Sequence, residues 1–230
     1  MFVFATASLR NVANTDEAVA AIEAATGFEV EILTGSREAF LDFIGAAHFT
    51  RLSSGVLVDI GGGSTEIVTF TAGEADRALS IPIGSLKLYT AYVESVLPDK
   101  AERKKIRQRV MAELDGLSGF SQQTVALMVG VGGSIRAAGK LYQDETGLPF
   151  TERIPVAALQ KLLGKVEKAD RATLRRLLQV MPDRVHTFIP GMILLETIAS
   201  YFQVKELTIS PYGVREGYVY DRMSRETRKG

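Results

Sequence analysis

The sequence predicts an α/β protein, with helices layered on a sheet rather than set apart from it. Two observations carry that expectation. Apolar, β-rich runs alternate with helix-period segments along nearly all of the 230 residues. Two of the apolar runs, "VLVDI" and "ALMVGV", break directly into glycines, as strands do when they hand over to a turn or to a helix start. With 46% hydrophobic and 23% charged residues, the composition is that of a globular chain long enough to bury a real core.

The elements follow in order. "FVFATAS" is apolar and β-rich from the second residue and reads as a strand. Residues 14–26 are alanine-rich, with Asn14 and Thr15 as N-cap candidates and Gly27 as a stop, which predicts a helix. "FEVEILTG" alternates as a strand, and "SREAFLDFIGAAHF" follows as a helix with Ser36 as its expected N-cap. The polar break at residues 49–55, "FTRLSSG", is the best candidate for a domain boundary. Beyond it come two strands within residues 56–70, a third at "ALSIPIG", a helix over about 85–96 and a charged helix over 100–117. "TVALMVGVGGSIRAAGK" reads as a strand running into a helix. Residues 155–202 are mostly helical, with turns near Asp170 and Met181, and "ELTISPYGVREGYVYDRM" closes with a strand, a turn and a helix.

Composition also excludes several classes. The 27 basic and 27 acidic side chains cancel, which leaves no global field for a nucleic acid. With no cysteine there is no disulfide frame, thiolate metal site or thiol nucleophile, and His48 and His186 are too far apart in sequence for metal-ligand spacing. The most apolar stretch, "IPGMILLETIASYF", is interrupted by Glu196 and too short to span a bilayer. "MFVFATASLR" lacks the basic start of a signal peptide. The chain reads as cytoplasmic, with no membrane partner.

The chemistry is concentrated at the glycine turns. Gly61, Gly62 and Gly63 allow backbone N–H groups to converge on one concavity, since no Cβ blocks approach and positive φ costs little. Such a nest binds phosphate oxygens. Asp59 ends the preceding strand, where it can hold a divalent ion, Ser64 and Thr65 add hydroxyls, and Glu66 faces either the same cleft or the opposite sheet face. A plain glycine-rich hairpin is the alternative. The second turn, at Gly132, Gly133 and Ser134, leads into a helix start, where the dipole favours anions. Neither turn has the Walker or the Rossmann spacing.

Five stretches, "TASLRNVAN", "ILTGSREAFL", "VLVDIGGGSTEIV", "VGVGGSIRAAG" and the pair "RVHTFIPGMILLE" with "LTISPYGVREG", together resemble the exopolyphosphatase and guanosine pentaphosphate phosphohydrolase (Ppx/GppA) family. The resemblance implies the ribonuclease-H-like, actin-type ATPase superfold in two domains with the first truncated: residues 1–48 as a remnant of the first, 49–212 as the second, and 213–230 as a helix packing back. It implies phosphate and Mg²⁺ binding around Asp59, Gly61, Gly62, Gly63, Ser64 and Glu66, with Asp59 and Glu66 on the metal. Arg10 would contact a substrate phosphate. Glu38 would be the general base, while Arg37 stands where the family has a further acid.

These residues are the set that phosphoanhydride hydrolysis needs: a carboxylate for the water, a metal, and donors for the transferred group. The implied substrates are inorganic polyphosphate and guanosine pentaphosphate. The family's first phosphate loop, D-x-G-S-N-S-x-R, does not occur in these 230 residues. Impaired turnover is therefore expected, together with association into a homodimer through residues 1–48, where an edge and an apolar face would be exposed. Two rivals remain at this point: a non-catalytic module that binds guanosine tetra- or pentaphosphate, and an actin-like sugar or acetate kinase.

Overall fold

A computed structural model describes residues 1–117, 125, 127–149 and 152–227. Its larger sheet begins as a meander of β3 (Gly55–Ile60), β4 (Thr65–Thr71) and β5 (Glu74–Ile81). Next to β3, β6 (Leu127–Val131) and then β8 (Glu206–Ile209) are added in parallel, and β7 (Arg153–Pro155) closes the far edge antiparallel. The strand order is β5-β4-β3-β6-β8-β7. Apart from the edge strand β7, this is the ribonuclease-H-like arrangement. A small second sheet pairs β1 (Val3–Ala5) in parallel with β2 (Val30–Ile32).

Strand periodicity decides what covers each face. Val56, Val58 and Ile60 of β3 point into the main core with helices α4 (Ser85–Tyr92), α5 (Lys100–Asp115), α6 (Gly133–Thr146), α7 (Val156–Val166), α8 (Arg171–Val180) and α9 (Val185–Tyr201). Leu57, Val68, Phe70 and Val129 point the other way, against Ala39, Phe43 and Ala46 of α3 (Gly35–Phe49). Outside α3 lies α10 (Val214–Thr227), and the two helices meet backbone to backbone. A Cβ on Gly217 would sit 1.8 Å from the Leu41 carbonyl oxygen, and one on Gly45 would sit 2.3 Å from that of Gly213. The small sheet carries α1 (Ala7–Arg10) and α2 (Thr15–Thr26), the latter closed by Gly27 at φ 71°.

Local chemistry accounts for several ends. Asp99 and Glu102 form a reciprocal capping box on α5, and Asp170 caps α8 by accepting from the Thr173 N–H. The N-cap of α3 is Thr34, not Ser36: its hydroxyl accepts from the Arg37 N–H while its backbone is extended, as a capping residue requires. Asn14 makes no side-chain cap. The strand expected at "FVFATAS" is only three residues long, because Ala7 already begins α1. The helix expected to reach residue 96 ends at Tyr92, and β7 went unforeseen. Residues 124 and 126, expected to open the strand before the second glycine turn, lie outside the described residues.

Candidate active site

Four carboxyl groups are brought together by two periodicities. Asp59 is two residues on from Leu57 and so shares the α3-facing side of the sheet, and Glu66 shares it with Val68 and Phe70. The register pairs Asp59 directly with Glu66, which settles the open question of which face Glu66 takes. On α3, Glu38 and Asp42 are four residues apart, so both fall on the stripe turned toward those strands.

The electrostatics follow from burial. Glu66 is 1% exposed and accepts from the hydroxyls of Ser64 (2.8 Å) and Ser80 (2.7 Å). Burial, reinforced by the charge of Glu38, pushes its carboxyl up to about 8, against the pull of the two serines. Burial also raises Asp59 to about 6; the neighbouring Asp42 carboxyl opposes this, Glu38 adds to it and Arg136 counters it. Arg10, at the end of α1, donates from Nη1 to the Leu33 carbonyl and to Glu38 Oε2, both at 2.8 Å, and its Nη2 lies 3.9 Å from Glu66. Asp42, which sequence reasoning passed over, is 0% exposed with no donor on either oxygen, and burial lifts it well above the usual carboxylate range, with Asp59, Glu66 and Glu38 adding.

The first glycine turn is both a hairpin and a loop with free donors. Residues 61–64 join β3 to β4, closed by the Gly61 N–H donating to the Ser64 carbonyl at 3.1 Å. The N-terminus of α4 ties down the outward carbonyls: Ser85 N–H donates to Gly61, and Leu86 and Lys87 N–H to Gly62. This leaves the N–H groups of Gly62 and Gly63 without a partner among the described residues, beside a cleft of about 550 Å³ that Glu38, Ser64 and Lys87 also line. None of the three glycines has positive φ. The close approach falls on the facing Gly84, where a Cβ would lie 2.5 Å from the Gly62 backbone, whereas a Cβ on Gly62 or Gly63 would meet nothing nearer than 3.5 Å. Thr65 does not join this loop: it is fully buried, with its hydroxyl donated to the Ile83 carbonyl at 2.7 Å.

The second turn shapes the surroundings of Asp59. Gly132 has φ 94°, and a Cβ there would be 2.2 Å from Asp59 Oδ1. Asp59, Gly132, Arg136, Gly213 and Glu216 line a second cavity of about 350 Å³. Gly133 is covered by the Arg184 guanidinium. Ser134 is buried, its hydroxyl close against Gly191 of α9, so it supports helix packing and is turned from the cleft. Among the described residues, no three histidine or acidic side chains converge into a ready-made metal cage, and no helix is long and apolar enough to cross a membrane.

The sequence matches the Ppx/GppA phosphatase family over residues 1–226. The chain belongs to that family. Its fold is shared with the Aquifex aeolicus Ppx/GppA family member, at 22% identity and a TM-score of 0.81, over 98% of this chain and 74% of that one. It is also similar to an exopolyphosphatase from Cytophaga hutchinsonii, at 19% identity and a TM-score of 0.85, over 97% of this chain and 74% of that one.

Within this Ppx/GppA frame, Arg37 takes no part in the carboxyl cluster. It forms an ion pair with Asp221 on α10 and turns its charge away from Glu38. Arg10, expected on a substrate phosphate, is held by Glu38. The two histidines pack against rings, His48 stacked on Tyr220 and His186 edge-on to Tyr89.

Proposed function

We propose that this Ppx/GppA phosphatase releases orthophosphate from the end of a phosphoanhydride chain, inorganic polyphosphate or guanosine pentaphosphate, with water as the acceptor. The observation that carries the reading is the pairing, on one cleft, of the Gly62 and Gly63 N–H groups, which have no partner among the described residues, with the Glu38 carboxylate. The N–H groups supply fixed donors to the oxygens of a terminal phosphoryl group, where charge shifts in the transition state. Glu38 orients the attacking water and takes its proton. Arg10 lies between Glu38 and Glu66, so its charge is available to a phosphate entering beside the loop. Ser64 and Ser80 hold Glu66 in one orientation.

Asp59 and Glu66 are the residues for Mg²⁺. They stand opposed on one face, and burial raises both. Magnesium, when bound, neutralises charge on the leaving phosphate oxygens. These 230 residues assayed alone are expected to turn over weakly and to self-associate through residues 1–48, where Met1, Phe2 and Phe28 are exposed.

The test is orthophosphate release from long-chain polyphosphate and from guanosine pentaphosphate, with Mg²⁺, by the parent and by Glu38→Ala. Release that drops by at least about a hundredfold in the variant supports the hydrolase. Binding of guanosine pentaphosphate without release from either protein would favour the sensor. The 2.8 Å Arg10–Glu38 ion pair fits that second reading, because it occupies the base.

A further inference from the structure

Asp42 is a fully buried acid to which no hydrogen-bond donor extends. The charged groups around it come from α3, the sheet and α6. Along α3, Glu38 lies one turn away and is taken by Arg10, while Arg37 is taken by Asp221. From the sheet come Asp59, on the face of β3 that α3 covers and acting on Asp42 by its charge, and Glu66, whose Oε1 accepts from both Ser64 and Ser80. The guanidinium acting on Asp59 is that of Arg136 on α6, and it makes no bond to Asp42. The loop before α10 brings Gly213, whose lack of a Cβ leaves room at Asp42 Oδ1, where a Cβ would stand 3.1 Å away. Four carboxyls therefore face two guanidiniums, and the unanswered one is the deepest.

A buried polar group without a partner calls for an explanation, such as a water or an ion. Burial and the neighbouring carboxylates disfavour the charged form of Asp42, and a water dipole does little to offset that, whereas a cation would let Asp42 ionise in place. Asp59 opens onto the cavity of about 350 Å³, which is also lined by Gly213, the residue that stands against Asp42 Oδ1, and this gives an ion a way in and space to keep part of its hydration shell. A magnesium-sized ion is commonly held by one or two carboxylates with water in the remaining positions, so the lack of a three-carboxylate cage among the described residues is no obstacle.

We propose that Asp42 and Asp59 together form the protein's half of a divalent-cation site, Asp42 as the buried anchor and Asp59 as the ligand open to the cavity. This deepens the phosphatase reading and rests on it, since the ion is the one the Asp59 carboxylate would bring to the reaction. It gives the ion a second carboxylate from α3 in place of Glu66, whose Oε1 is held by the Ser64 and Ser80 hydroxyls. The competing arrangement is a shared proton, with neutral Asp42 donating to Asp59. Asparagine separates the two, because its amide donates equally well to Asp59 but brings no charge to a cation.

The experiment measures Mn²⁺ binding to the full chain, freed of metal, by electron paramagnetic resonance and calorimetry without substrate. The parent is compared with Asp42→Asn and, in case that variant does not fold, with Asp42→Ala. Thermal midpoints are read with and without Mn²⁺. The expected result is Mn²⁺ binding by the parent that weakens by at least about tenfold in the variants. The ion-dependent rise in midpoint should vanish with it. The metal-free midpoint of Asp42→Asn should equal or exceed that of the parent, since a like charge has left the cluster.

Unchanged Mn²⁺ affinity in Asp42→Asn would overturn the proposal, and so would a parent that binds none. Orthophosphate release, measured on the same preparations, keeps the two ideas apart. A parent that releases phosphate while Asp42→Asn binds Mn²⁺ normally refutes the role of Asp42 and leaves the hydrolase standing. A parent that neither binds nor releases refutes both.

Discussion

Replacing Glu66 by glutamine should flatten the pH dependence of stability. In the native protein the Glu66 carboxyl keeps its proton up to about 8, whereas the unfolded chain gives it up near the ordinary value of 4.5. Between those two values the native state binds more protons, so stability is full below about 4.5 and falls as pH rises through the window. The span from 4.5 to about 8, at about 1.4 kcal/mol for each pH unit, sets a ceiling of about 5 kcal/mol. Relaxation around the charge brings the expected loss nearer to about 2–3 kcal/mol.

The glutamine side chain would keep an oxygen for the Ser64 and Ser80 hydroxyls while carrying no charge to desolvate, so that loss should disappear. Urea unfolding in EDTA, from about pH 5 to about pH 9, measures it. The parent should lose stability across the range, and Glu66→Gln should lose distinctly less, retaining a smaller slope from Asp59, whose carboxyl is raised to about 6. Parallel profiles for the two proteins would refute the assignment of the slope to Glu66.

Other substitutions probe the same geometry. Gly132→Ala puts a side chain at φ 94° and a Cβ 2.2 Å from Asp59 Oδ1, so it should cost about 1–3 kcal/mol in urea melts and lower phosphate release by displacing Asp59. Gly217→Ala drives a Cβ to 1.8 Å from the Leu41 carbonyl; forcing α10 off α3 should cost about 1–3 kcal/mol, with activity falling alongside as Glu38 moves. Ser80→Ala removes one of the two donors that lower Glu66, so the rise of phosphate release with pH should move to more alkaline values in a pH–rate profile at limiting Mg²⁺.

What the sequence disclosed was what local pattern controls. The strands, the two glycine turns and the helices that follow them are visible as alternation and punctuation, and Asp59 and Glu38 stand where such turns and caps place them. Contacts distant in sequence were hidden. Whether Glu66 shares a face with Asp59 depends on β3–β4 register, and a slip of one residue would have reversed it. Thr65 reads as a loop hydroxyl until Ile83 arrives to accept it, and Ser134 does so until α9 packs on it.

Tolerance of positive φ was one reason to single out Gly61, Gly62 and Gly63, but none of them adopts it, and the steric demand of the approaching α4 falls on Gly84. Asp42 was the largest omission. An acid among alanines and phenylalanines on a helix looks like a surface position, although its spacing from Glu38, with Ala39 and Phe43 as neighbours, already set it on the inward stripe.

The glycine contact between α3 and α10 divides the machinery mechanically. With Gly45 and Gly217 letting the helix backbones touch, and with α3 seated on the large sheet, Glu38 rides on the same solid body as the first glycine turn. Their separation is thus built in and owes nothing to closure of a cleft. Arg10 belongs to the other piece, at the end of the short helix that follows β1. The small sheet meets α3 and α10 through Phe4, Leu33, Leu41 and Tyr218, so a substitution that loosened this cluster would shift the guanidinium while leaving Glu38 in place.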